Sequence, residues 1–318
     1  MLRSVELCAG AGGQALGLEQ AGFHHEALVE IDRHCCQTLR DNRSEWNVLE
    51  QCVVKFKDDA HKYQGIDLLA GGLPCPPFSV AGKKLGEKDE RNLFNDGVDI
   101  VDAIRPRAVL FENVKGFMDP AFRDYRETIK ARMKKLGYET MIRQVNASDY
   151  GVSQLRPRVM IVAVQEQDAE FFDWPTPNPK NPPTVGELLF DLMSERGWRG
   201  AEAWCKQANE IAPTIVGGSK KHGGPDLGPT RARRAWAALG VEGRTIAVEP
   251  PDPFHDGMPR LTVRMVARIQ GFPDEWSFFG PKTHAYKQVG NAFPPPVARA
   301  VSEKIAQVLR RRRLRAVS

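Results

Sequence analysis

The feature that most constrains this chain is a recurring order: a short unbroken apolar run, a polar or glycine-rich break, then a helical pattern. Val5-Glu6-Leu7 reads as a strand that runs into the loop Ala9-Gly10-Ala11-Gly12-Gly13, and a helical stretch from Gln14 to Ala21 closes at Gly22. Further strands are expected at Ala27 to Val29, ending at Glu30, at Ile66 to Ala70, ending at Gly71-Gly72, at Ala108 to Phe111, ending at Glu112-Asn113, and at Val159 to Val164. Helical patterns at Asn95 to Ile104 and Tyr125 to Leu136 lie between them. Strands alternating with helices specify an α/β fold with a mostly parallel sheet. Unbroken rather than alternating apolar strands fit a sheet covered on both faces. The chemically unusual residues follow the strand ends, which is the edge where open α/β sheets bind ligands.

The pattern changes at Trp174, where Pro175, Pro177, Pro179, Pro182 and Pro183 crowd together and read as an irregular entry into a second region. Three divisions are expected: 1–173 as a large α/β domain, 174–260 as a smaller region, and 261–318 returning to the large domain through a C-terminal helix. The tail arginines Arg310 to Arg315 are expected to form a disordered end. The length of 318 residues allows a large domain plus a small one. The net charge of +5 is mild, so where the basic residues sit matters more than their number. The six cysteines form no CxxC pair, and no cluster has zinc-ligand spacing, so neither a metal nor a disulfide framework is expected. Met1 to Gly10 lacks the apolar core of a signal peptide, and no apolar run approaches the length of a membrane span. These points lead to the expectation of a cytoplasmic protein.

Six segments carry chemistry. The Gly10–Gly13 loop lets backbone approach a nucleotide-like ligand, and Glu30, twenty residues on, is placed to bind a ribose diol. Alone, this pair fits a dinucleotide oxidoreductase equally well. Cys75 stands between Pro74 and Pro76 just past a strand, so its thiol is aimed as a nucleophile must be. Glu112 at a strand end can donate a proton. Gln154-x-Arg156-x-Arg158 feeds a strand, and alternation would put all three side chains on one face. Arg260 to Asp274 and Gln288 to Asn291 complete the set but spell out no reaction by themselves.

Taken together and in order, these segments resemble the DNA cytosine-C5 methyltransferase family, over about two-thirds of the chain. The resemblance implies an S-adenosylmethionine-dependent, Rossmann-like methyltransferase fold and S-adenosylhomocysteine as product. It implies Cys75 as the nucleophile that adds to cytosine C6, Glu112 on the N3 and N4 edge, and Arg156 and Arg158 orienting base and loop. For the cofactor it implies Leu7, Cys8, Ala9, Gly10, Ala11, Gly12, Gly13, Glu30, Ile31, Asp59, Pro74, Leu93 and Asn291, with Asp58 as an alternative to Asp59. Cys8 stands where the family usually has Phe, Glu6 where it has Asp, and Pro76 where Gln is common.

A stacked cytosine cannot be attacked at C6, so the target base must leave the helix. The 174–260 region would hold the DNA. Its candidates are Gly217, Gly218, Ser219, Lys220 and Lys221, then Arg231, Arg233 and Arg234, with Gln154 beside them. The expected partner is double-stranded DNA, with a monomeric enzyme and a cognate restriction endonuclease in the same system. A tRNA cytosine-C5 methyltransferase and a non-catalytic DNA-binding module are the other readings.

Overall fold

A computed structural model of the chain describes residues 1–74, 93–178, 180–217 and 224–315. The chain divides into two compact units. The first comprises Met1–Val145, Pro157–Thr176 and Val297–Ser318, and the second comprises Asn146–Arg156 and Pro177–Pro296.

The first unit is built on one sheet. Its strands are β1 (Leu2–Leu7), β2 (Phe23–Glu30), β3 (Val48–Glu50), β4 (Leu68–Gly71), β5 (Ala108–Val114), β6 (Tyr138–Asn146) and β7 (Pro157–Gln165). They stand in the order β3-β2-β1-β4-β5-β7-β6. The first four pairings are parallel, and β7 runs antiparallel to β5. The helices are α1 (Gly13–Gln20), α2 (Arg33–Asn42), α3 (Val53–Asp59), α4 (Phe94–Ile104) and α5 (Arg123–Lys135), joined by the C-terminal helix Pro295–Arg315.

Side-chain alternation explains the layers. Val5, Leu7, Val29, Leu69, Val109 and Phe111 turn to one face, where Phe56 of α3, Phe94 and Val98 of α4, and Ile129 and Met133 of α5 pack on them. Leu28, Ala70 and Leu110 turn to the other. There Gln14 of α1 donates to the Leu110 carbonyl at 3.5 Å, and Arg107 ties the start of β5 to Leu309 of the C-terminal helix at 2.6 Å. Both faces of the central strands are buried, as continuous apolar runs require.

Three expectations change. The strands β3 and β6 carry no continuous apolar run and are missing from the sequence reading; both lie at sheet edges and are only partly buried. Residues 261–296 cluster with the second unit, so only the C-terminal helix returns to the first. That helix continues to Arg315 in place of a disordered end: Arg310 donates to the Ala21 carbonyl, and Arg311 stacks over the Phe171 ring at 5.0 Å.

The second unit is helical: α6 (Val185–Ser194), α7 (Ala201–Gln207), α8 (Thr230–Ala238), α9 (Val263–Ile269) and α10 (Lys282–Asn291), joined by long irregular segments. Thr184 and Glu187 close a capping box at the start of α6. Arg268 of α9 bonds Asp191 of α6 and Asp274, tying α9 back to α6.

Candidate active site

The carboxyl ends of β1, β2, β4 and β5 meet at one edge of the first unit. After β1 the backbone turns left-handed three times, at Cys8 (φ 54°), Gly10 (φ 56°) and Gly12 (φ 86°). Glycine takes this conformation freely, whereas at Cys8 it costs roughly 1–2 kcal/mol. Glu30 holds the loop in place. Its Oε2 accepts from Gly10 N at 2.7 Å, and its Oε1 accepts from Ile31 N at 2.8 Å and Asp32 N at 2.7 Å. A carboxylate offers about four acceptor directions, so three backbone bonds leave one for a ligand hydroxyl. Ile31 next to it is 69% exposed, an apolar face beside an acceptor. This edge therefore fits a ligand that carries both a diol and a flat ring, as S-adenosylmethionine does.

The cofactor candidates divide by what they expose. Leu7 is fully buried in the core and offers only its backbone. Ala9, Ala11 and Gly13 are buried within the loop. Leu93 caps α4 and packs on the core, and Pro74 is exposed. Cys52 caps the start of α3 at the ligand edge. Asp59, at the end of that helix, is half-exposed and paired with Lys62 at 2.5 Å, and Asp58 stands immediately before it. The residues that stand at the end of β3 are Gln51, whose N–H donates to the Glu30 carbonyl at 3.0 Å, and Cys52. A three-residue, half-exposed strand gave no periodic signal that could have found them.

Glu112 and Arg158 form the second part of the site. Glu112 lies inside β5 rather than after it, because the strand runs on to Val114. Val114 is opposite Arg158 on β7, so Glu112 and Arg158 are diagonal neighbours. Arg158 Nε meets Glu112 Oε1 at 2.8 Å, both side chains being mostly buried. Burial lowers the affinity of Arg158 for its proton, and the Glu112 carboxylate opposes that shift. Gly72, just past β4, borders the acid: a Cβ there would stand 3.6 Å from Glu112 Oε2 and 3.9 Å from the Cys8 carbonyl. Asn113 donates to the Leu73 carbonyl at 3.3 Å, tying the approach to Pro74 onto β5. Cys75 lies outside the described residues, as do Gly218, Ser219, Lys220 and Lys221.

The second unit holds the remaining candidates. Arg156, expected to orient the base, is 1% exposed. Its guanidinium donates to the carbonyls of Ile215 (2.5 Å), Gly290 (2.8 Å) and Ala292 (3.0 Å), and to the side-chain amide oxygen Oε1 of Gln154 at 3.3 Å. Gln154, expected beside DNA, is fully buried: its amide donates to Gln270 at 2.6 Å and accepts from Ile215 N at 2.9 Å. Both residues are buried and bond each other, so they are spent on the interior rather than turned to a base or to DNA as expected. Asn291 ends α10 and lies against Gly217, where a Cβ would fall 1.9 Å from Asn291 Oδ1. Arg231 and Arg234 stand exposed on α8, with Arg233 half-buried between them.

Comparison with known proteins bears on the chain as a whole. The profile of the C-5 cytosine-specific DNA methylase family matches residues 2–307. Type II methyltransferase M.NaeI of Lentzea aerocolonigenes is 53% identical over 97% of this chain and 75% of its own length. Type II methyltransferase M.NgoMIV of Neisseria gonorrhoeae is 52% identical, covering 97% and 98% respectively. Among solved structures, a DNA modification methyltransferase encoded within an Escherichia coli prophage superimposes with a TM-score of 0.68 at 25% identity, over 98% of this chain and 100% of that one. On the match of residues 2–307 and these identities, this chain belongs to the C-5 cytosine-specific DNA methylase family.

Proposed function

We propose that the chain is the modification enzyme of a restriction-modification system, methylating C5 of one cytosine within a short duplex DNA sequence. The observation that carries this reading is the Glu112–Arg158 pair, set beside the glycine loop at the strand end that leads into Pro74 and Cys75.

S-adenosylmethionine, when bound, supplies an electrophilic methyl group on a sulfonium. Gly10, Gly12, Glu30 and Ile31 would hold it, with Gln51 and Cys52 at the neighbouring strand end. Cytosine C5 is a weak nucleophile until C6 carries an added thiolate, and Cys75 supplies that thiolate. Glu112 hydrogen-bonds the N3 and N4 edge as charge builds on the ring. Arg158 fixes the carboxylate so that no reorganisation is needed when that charge appears. After transfer the C5 proton leaves and Cys75 is expelled. The target base must first flip out, at a cost of a few kcal/mol, and α8 with the segment after Gly217 is the candidate to hold the opened duplex.

The same reading has the enzyme acting as a monomer in the cytoplasm, with a cognate endonuclease that shares its sequence but need not touch it. Among the described residues no helix is long and apolar enough to cross a membrane. The test is methylation of genomic DNA by the purified protein, read by bisulfite sequencing, alongside the Cys75→Ser variant. Protection of cytosines within one short motif is expected, with none from Cys75→Ser and its DNA binding retained. Turnover by that variant would remove Cys75 as nucleophile, and transfer to tRNA without transfer to DNA would replace the substrate.

A further inference from the structure

Near its carboxyl end β1 carries a buried acid. Glu6 is fully buried, and neither of its carboxyl oxygens has a hydrogen-bond partner. Its register partners, Leu28 on β2 and Ala70 on β4, are apolar. A buried polar group left unpaired costs about 1–3 kcal/mol, so its presence calls for a reason. Two residues later the chain enters the glycine loop, and the carboxylate of Glu30 that clamps this loop also acts electrostatically on Glu6.

Among the described residues no cation bonds Glu6. The buried faces of α1 and of the C-terminal helix carry no ionisable side chain among the described residues. The titratable groups on this side of the sheet are Glu30, Cys8, Cys36 and His25, and farther along the same face Glu112, whose carboxylate already balances the Arg158 guanidinium. Burial raises both thiols and keeps them neutral. The His25 ring is held between Ser4 Oγ and the Ala15 carbonyl, and burial pushes it down to about 4, so it too is uncharged near neutrality. An ionised Glu6 would lie beside a second anion with nothing to balance it, and burial followed by the Glu30 charge pushes its carboxyl well above the usual range.

We propose that Glu6 reads the charge of the ligand above it: it gives its proton to solvent when the cationic methyl donor occupies the glycine loop, and keeps it when the uncharged thioether product does. The inference rests on the proposed use of S-adenosylmethionine. The donor carries a sulfonium that the product has lost, so only the donor offers the missing countercharge. The site then favours donor over product, and increasingly so as pH rises, by up to about tenfold per pH unit. Glu6 touches neither base nor thiol in this scheme; it is a positioning residue acting through the field of the site.

Calorimetric titration of S-adenosylmethionine and S-adenosylhomocysteine, in two buffers of different ionisation enthalpy, counts the protons. The measurement belongs at pH 6.5, below the range of about 7.7–8.0 in which an α-amino group titrates. The donor should release about one proton on binding and the product none, and Glu6→Gln should abolish that difference. Equal proton counts for the two ligands on the wild-type protein overturn the inference, whether or not the variant folds. A folded Glu6→Gln that still releases the proton overturns the assignment to Glu6. Failure of both ligands to bind the wild-type protein instead removes the cofactor reading, and the inference with it.

Discussion

Two arginines separated by one residue have opposite fates. Arg158 sits in the sheet of the first unit and meets a carboxylate. Arg156 sits in the second unit and is consumed by three backbone carbonyls and a glutamine. A guanidinium paired with an acid at a ligand edge can stabilise developing charge, whereas one saturated by carbonyls fixes chain segments. The comparison predicts opposite signatures. Glu112→Gln, which keeps an acceptor for Arg158, should lower kcat by about 10²–10⁴ with little change in urea midpoint; near-normal turnover would leave the pair structural. Arg156→Met should cost about 3–4 kcal/mol of stability, because several buried carbonyls lose a charged donor at once. A urea midpoint unchanged by Arg156→Met, with kcat lost, would reverse the two assignments.

The same contrast explains what the sequence made legible. The central strands were readable because burial on both faces forces an unbroken apolar run, and the glycine loop, Glu30 and Glu112 follow such runs. Edge strands lack that signature. Missing β3 left Gln51 and Cys52, at the end of that strand, unseen. The Gln154-x-Arg156-x-Arg158 pattern was visible, but the carbonyls that saturate Arg156 lie 59 to 136 residues away in the chain. Alternation within a strand carries no information about carbonyls contributed from such distances. The clustering of 261–296 with the second unit rests on packing that no local pattern encodes.

A third prediction separates the first unit's interior from its ligand edge. His25 is buried and neutral, its ring nitrogens bonded to Ser4 and Ala15. Its folded value is pushed from 6.5 down to about 4, first by burial. The unfolded chain therefore binds the extra proton in that window, and stability present above pH 6.5 is lost as pH falls towards 4. The loss should reach about 3 kcal/mol at the acid end. His25→Gln should flatten this part of the stability profile, measured by urea unfolding at several pH values. If the variant's profile stays parallel to that of the wild type, acid sensitivity originates elsewhere, with the carboxylates around the glycine loop the next to test.

The smallest effect belongs to the arginines that the second unit leaves outside. Trp236 is fully buried and anchors α8, while Arg231 and Arg234 on the same helix remain exposed. Unlike Arg156 they can be removed at little cost to the fold, since exposed side chains away from caps and cores change stability by about 0.5 kcal/mol or less. If they meet phosphates, Arg231→Gln and Arg234→Gln should each reduce the slope of log K against log salt by about 0.9. Binding should then weaken evenly across DNA sequences, with kcat at saturating DNA unchanged. A loss concentrated on one base pair of the recognition sequence would instead make the residue a reader of a base edge. That result would move sequence discrimination onto α8 and leave backbone contact to the segment that follows Gly217.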